Sequence, residues 1–534
     1  MIRLSKRNRA VALAAMLVPA LGLGACTDLS VDPFSSVTPE NFYQTDTEVI
    51  AALSPVYSQL RATLWEYHNM SQVSSDETIV PTRGGDWFDG GDWLSLHQHS
   101  WTPQLGFING AWNVSYAGIA RANSLLSDLE TIEVPNKDGL IAEIRALRAF
   151  YYYTLMDLFG NVPIIGDEEG EFRVDPDNLP QTESRETVYN FVVSELEAVR
   201  TALPVAGAGN GGRMSQGAVD AMLANIYLNA EVFSGSVTAG GVVRGTARYQ
   251  EAIDKATEVI NGPYSLNQGT AAWLNQFTPT NRDNPEHIFV VQHLAEDGFG
   301  MSFPMRTFHY NSFAGGGWNG FATIEETYGA FDEDDPRRGI FAVGQAINYN
   351  TGDPINNRQG DPLIFTVDFP NGVTPAGGGA AEGHGVRFNK FTVDNDQVNG
   401  NHGNDYPYFR LAEMYLIRAE ANLRLGNSAA ALADVNTLRA RLTGDVDGDG
   451  DDDAPDALTS ITLDDILNER LYELTQEARR RQDLIRYDRF TGANNSWSFK
   501  EGAVGVSQPF RVLFAIPQTQ IDASDGLLQQ NPGY

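Results

Sequence analysis

Cysteine is almost absent: the 534 residues contain one, Cys26, so no intramolecular disulfide can form and stability must come from a packed core. Positive charge is scarce as well. With 37 Lys and Arg against 69 Asp and Glu, the formal net charge is −32, which argues against nucleic acid and against anionic lipid headgroups as partners. No stretch of the chain has the about 20 apolar residues of a membrane-spanning helix. H-E-x-x-H, a P-loop and G-x-S-x-G are all missing. "GAGNGG" at 207–212 satisfies G-x-G-x-x-G, but it follows a helical stretch and Pro204 where a dinucleotide site needs a strand, and it reads as a loop.

The N-terminus carries Arg3, Lys6, Arg7 and Arg9, then 16 uncharged residues from Ala10 to Ala25 that end in small ones. That is the pattern of a cleaved secretory signal, too short to span a bilayer. Leu23-Gly24-Ala25-Cys26 resembles the lipobox of bacterial lipoproteins, in which the signal is cut before the cysteine and lipid is attached to it. Cys26 would then be the membrane anchor, several acyl chains each gaining about 0.8 kcal/mol per buried methylene. The alternative is a buried free cysteine in an ordinary secreted protein. Loss of residues 1–25 removes four basic residues and no acidic ones, taking −32 to −36. Residues 26–44, rich in Ser, Thr, Asp and Pro, read as a tether.

Amphipathic periodicity predicts helices near 46–66, 109–130, 138–159, 184–203, 214–233, 246–261, 405–425, 427–442 and 462–489. In the 138–159 stretch Ile144, Leu147, Tyr151, Leu155 and Leu158 share one face, with Gly160 and Pro163 as stops. In the last stretch Leu467, Leu471, Leu474 and Ala478 form the stripe, Glu477 and Arg481 pair four apart, and Arg479 to Arg481 read as a solvated or carboxylate-paired face. Two helical pairs, at 213–264 and 408–442, have small and aromatic residues spaced for close packing and run near the tetratricopeptide length of about 34 residues. Between them, 265–400 is dense in Gly, Pro, Asn and Asp, with short alternating segments such as "HIFVVQHL". This reads as loops with a few short strands, the kind of region in which binding usually lives. The expected fold is mainly α: helical-pair scaffold at 45–264 and 401–534, loop-rich ligand region at 265–400.

Six segments follow one another in order: the lipobox, "AEIRALRAFYYYTLMDLFGNVPI", "DEDDPRR", "YFRLAEMYLIRAEANLRLG", "ILNERLYELTQEARRRQDLIR" and the terminal "LFAIPQTQIDASDGLLQQNPGY". Together they resemble the SusD/RagB family of surface lipoproteins that work with TonB-dependent transporters in glycan uptake. The resemblance implies a SusD-like fold over 45–534. It also implies an outer-membrane, surface-exposed location, an oligosaccharide ligand, and a SusC-like transporter over whose mouth the protein sits as a lid.

Sugar binders pack pyranose C–H faces on flat rings and bond hydroxyls with Asn, Asp and Arg. Trp87 and Trp93 lie in "RGGDWFDGGDWLSLHQHSW" and Trp318 in "AGGGWNG", Gly-rich settings poorly suited to a core. In the family, ligand-contacting aromatics come from loops in these two regions. Trp87, Trp93 and Trp318 are therefore the candidate platforms, with Asn319 and Asp92 as polar partners; the alternative for each Trp is packing against the scaffold. Trp65 and Trp112, inside helical stretches, read as core, and His97 and His99 as solvent-facing.

"DVDGDGDDDAPD", Asp445 to Asp456, follows the twelve-residue calcium-loop spacing: acids at positions one (Asp445), three (Asp447) and five (Asp449), and Gly450 at six. Asp451 would give its carbonyl, Asp453 would act through water, and Asp456 closes the loop at twelve, with an Asp as in dockerin-type loops in place of the usual Glu. A structural calcium is one reading; a disordered acidic insert is the other. No organic cofactor is expected. For function, glycan capture and delivery stands first. Capture of a peptide or another nutrient, a lipid-anchored glycoside hydrolase or lyase with carboxylates about 5–10 Å apart, and a pure assembly scaffold are the alternatives.

Overall fold

The first helix, α1 (Asp46–Val73), buries Leu53, Val56, Leu60, Leu64 and Tyr67, successive steps of three or four residues that line up on one face. In the computed structural model the described residues are 45–166, 179–205, 211–444, 453–492, 497–498 and 507–534. Cys26, the expected signal and tether, and Asp445, Asp447, Asp449 and Asp451 lie outside them. Residues 50–534 form one compact unit.

After α2 (Asp92–His97) come α3 (Gly106–Thr131), α4 (Lys137–Leu158), α5 (Arg185–Val199), α6 (Gln216–Leu228) and α7 (Tyr249–Ile260). Helix α4 packs between α3 and α5, and every residue from Ala146 to Leu158 is buried, so the one-faced stripe expected here is the signature of a central helix buried all round. Its end is as expected: Gly160 takes φ +70° and its N–H bonds the Met156 carbonyl at 3.1 Å.

The two helical pairs stack into one array. Helix α6 packs on α7, α7 on α9 (Leu411–Arg424), and α9 on α10 (Ser428–Ala440). Buried Ala221, Ala224, Ala252, Ala256, Ala419 and Ala431 let the axes approach closely. Helix α9 starts later than the periodicity implies, because Tyr406–Arg410 is a strand, β2, antiparallel to β1 (His287–Val291). Its "YPYFR" is aromatic, and Pro407 cannot donate a helical hydrogen bond. Other strands in the middle are two residues long, Phe341–Ala342 with Arg387–Phe388 and Gly344–Gln345 with Ile364–Phe365, so the loop-rich reading of that region holds.

The expected helix over 462–489 is broken into α11 (Leu463–Leu474) and α12 (Arg480–Arg486), with Gln476 and Ala478 at positive φ between them. Buried charge drives the break. Arg479, Arg480 and Arg481 turn inward to Glu413 (2.8 Å), Asp76 (2.8 Å) and Asp157 (3.0 Å), so the face is carboxylate-paired but not solvated. Glu477 does not pair with Arg481; it meets Lys390 at 2.6 Å and Arg410 at 2.7 Å. The carbonyls freed at the end of α11 are taken up by Lys390, whose ammonium donates to Glu473 and Thr475. Arg410 also reaches Glu286 and Glu473, and Arg337 reaches Glu469. This buried network clamps the middle region, through Glu286, Arg337 and Lys390, onto the C-terminal helices.

Candidate functional site

The first site segment is a tight turn. The N–H groups of Arg83 and Asp86 each bond the other's carbonyl at 3.0 Å, and Trp87, Asp89, Gly90 and Gly91 then run at positive φ into α2. The second is the glycine-rich stretch after the short helix α8 (Phe303–Thr307). Its backbone lies back along that helix: Asn319 N–H bonds Phe308 O, and Gly320 and Phe321 N–H both bond Arg306 O, each at 2.8 Å.

The two segments meet at the tryptophans. The Trp87 indole N–H donates to the Trp318 carbonyl at 2.7 Å, and the Trp87 ring lies 5.7 Å from Trp93 and 5.8 Å from Phe321. Gly320 sits directly beneath that ring: a Cβ there would lie 2.3 Å from the indole. The sequence-predicted trio is thus brought together, but its members do different work. Trp318 is 40% exposed and turns its ring to solvent; Trp87 is half-buried beside it. Trp93 is only 7% exposed, packed on Phe107 at 4.4 Å with its N–H on Asp89, and acts as the floor.

Asn319 faces inward, against expectation. Fully buried at φ +54°, it accepts two hydrogen bonds from buried Arg387 and donates to the Glu382 carbonyl at 3.1 Å, so both ends of its amide are spent on holding the turn. Asp92 is half-buried at the start of α2, its carboxyl raised by burial and by Asp89. His97 and His99 are buried, not solvent-facing, because their ring nitrogens bond the Thr78, Ser498 and Ser74 carbonyls and the Ser507 hydroxyl. Trp112 is core as read, whereas Trp65 is exposed.

Residues the sequence reading missed supply the polar rim. The Tyr310 hydroxyl donates to Asp86 at 2.7 Å, and the Arg358 guanidinium lies 4.8 Å over the Tyr310 ring while bonding Glu382. His309 reaches Glu382 at 2.9 Å. Burial raises Glu382, but the Arg358 bonds outweigh it and hold the carboxyl below its usual range. Burial lowers His309 against the pull of Glu382, which disfavours the imidazolium at this pair. Burial and the bond to Asp86 push Tyr310 up to about 12. Phe88, 44% exposed, adds a further ring. None of these belongs to a motif; long-range contacts across more than 200 residues bring Asp86 to Tyr310.

Residues 285–534 match the SusD family model, and residues 37–228 match a second, described as starch-binding and associating with the outer membrane. The chain belongs to the SusD/RagB family. Among SusD relatives, the starch-binding protein SusD of Bacteroides thetaiotaomicron is 24% identical over 87% of this chain and 85% of its own. The SusD-like protein P25 of Formosa agariphila is 24% identical over 95% and 96%. The surface glycan-binding protein A of Bacteroides uniformis shares the fold with a TM-score of 0.69 at 23% identity, covering 91% of this chain and 99% of that one. The corresponding Bacteroides thetaiotaomicron protein, solved in complex with laminarihexaose, gives 0.68 at 22%, again with 91% and 99% coverage.

In the acidic loop, Asp453 and Asp456 are described. The Asp453 N–H bonds the Gly444 carbonyl at 3.2 Å, and the Asp456 carbonyl accepts from Arg439 at 2.7 Å. Among the described residues no three His, Cys, Asp or Glu side chains converge as a metal site.

Proposed function

We propose that this chain is a cell-surface glycan-binding lipoprotein. It captures oligosaccharide on the Trp87–Trp318 face and passes it to a SusC-like TonB-dependent transporter of the outer membrane, anchored by lipid on Cys26. The exposed Trp318 ring carries the reading: it is mounted on a turn that Trp87 and Asn319 hold in place. A pyranose C–H face packs on such a ring, while Asp86, Tyr310 and Arg358 stand ready for hydroxyls. Relatives named for starch binding, and a neighbour solved with laminarihexaose, support a glycan as the ligand class.

The reading contains no chemical step; the work is recognition and hand-over. Native gels cast with a panel of polysaccharides test it. At least one glycan is expected to retard the protein, with no reducing sugar released on prolonged incubation. Migration unchanged by every glycan, or steady sugar release, would contradict it.

A further inference from the structure

The aromatic layer does not stop at Trp87. Phe321, beneath Trp87, lies 5.2 Å from the Arg306 guanidinium, and that guanidinium lies 3.5 Å from the centre of the Trp65 ring. Trp65 sits on α1 one residue past Leu64 of the buried stripe, about 100° round the helix, and is 36% exposed.

Single exposed apolar residues are ordinary. Trp65 differs in being fixed. Arg306 is buried, and the carbonyl of that same residue anchors Gly320 and Phe321 of the turn that presents Trp318. Its Nη2 has no hydrogen-bond partner among the described residues, and the rings of Trp65, Phe303 and Phe321 lie around the guanidinium, whose charge is also opposed by the Glu66 carboxyl. Glu66, the next residue, is pressed against Gly110, where a Cβ would lie 2.9 Å from its carboxylate. That contact ties this turn of α1 to the start of α3, where Phe107 packs on Trp93. Trp65 and Trp318 are therefore two exposed rings both tied to Arg306, one through its guanidinium and the other through the turn its carbonyl anchors, so a chain that reached both would meet rings already ordered.

We infer that Trp65 is a second sugar platform, an outer subsite that takes the extension of a glycan chain held at Trp318. The inference rests on the glycan-binding reading and names a residue and a ligand feature, chain length, that the reading leaves open.

Affinities for laminarin- and starch-derived trisaccharides and hexasaccharides, measured for the protein and for Trp65→Ala and Trp65→Phe, test it. Trp65→Ala is expected to lose about three- to ten-fold in affinity for a hexasaccharide and nothing for the trisaccharide. Trp65→Phe, which keeps a ring on Arg306, is expected to recover most of the loss. Unchanged hexasaccharide affinity in Trp65→Ala overturns the inference and leaves the glycan reading standing. An equal loss at both lengths also overturns it, since a structural defect at Arg306 acts on both alike. If the unmodified protein binds none of these sugars but is retarded by another polysaccharide of the panel, the same two chain lengths cut from that glycan decide the inference by the same outcomes; if no glycan of the panel binds, the glycan reading fails, and this inference with it.

Discussion

The indole N–H of Trp87 donates to the carbonyl oxygen of Trp318 at 2.7 Å, across 231 residues of sequence. One tryptophan therefore holds the turn on which the other is displayed, and the presentation of Trp318 depends on how the Trp87 ring packs. Gly320, beneath the Trp87 ring, tests this. Gly320→Ala places a methyl group 2.3 Å from the indole, so Trp87 must move and its bond to Trp318 must break. The expected outcome is a destabilisation of about 1–3 kcal/mol together with a loss of glycan retardation, read by thermal melting and native gels.

Glu473 is the hub of the buried network, bonded to Arg410 at 2.6 Å and to the Trp273 indole at 2.8 Å, with Arg441 also in contact. Removing one partner of a buried pair leaves the others uncompensated. Glu473→Gln is expected to lower stability by about 3–5 kcal/mol at neutral pH, measured by urea unfolding.

Two buried acids pull the pH dependence in opposite directions. Burial, opposed and outweighed by Arg486, leaves Glu420 at about 2 against an ordinary 4.5, so its contribution is present above pH 4.5 and is lost as pH falls toward 2. Burial pushes Glu77 up to about 8, so its contribution is full below pH 4.5 and is lost as pH rises toward 8. Glu77→Gln is therefore expected to be more stable than the parent at pH 8.5, with the difference shrinking as pH falls toward 4.5. Melting temperatures across that range check the sign.

The scaffold was legible because its helices repeat buried residues at three- and four-residue steps, as in Leu53 to Tyr67. The break at 475–479 was not. Glu477 and Arg481 have ideal helical spacing, and only the distant Lys390, Arg410 and Asp157 draw them apart. Glycine-rich flanks marked out three tryptophans that the fold brings together, but flanking composition does not distinguish an exposed ring from a covered one. Trp93 is buried because Phe107 and Phe321 cover it, and Phe321 comes from the far side of the sequence. Trp65 was misread for the converse reason: membership of a helix says nothing about which face a residue occupies, and position 65 falls beside the stripe.

We propose, from its spacing alone, that the loop from Asp445 to Asp456 takes a structural calcium. Calcium is expected to raise the melting temperature and a chelator to lower it, and Asp445→Asn with Asp449→Asn to abolish the response. A melt indifferent to both additions would count against the site.

Calorimetric titration of the retarding glycan into the protein and into Trp318→Ala tests the central claim most directly. The account predicts saturable binding to the protein and none measurable to Trp318→Ala, with the two melting temperatures close because much of the residue is exposed. Equal affinity in both would contradict the placement of the ligand on the tryptophan face.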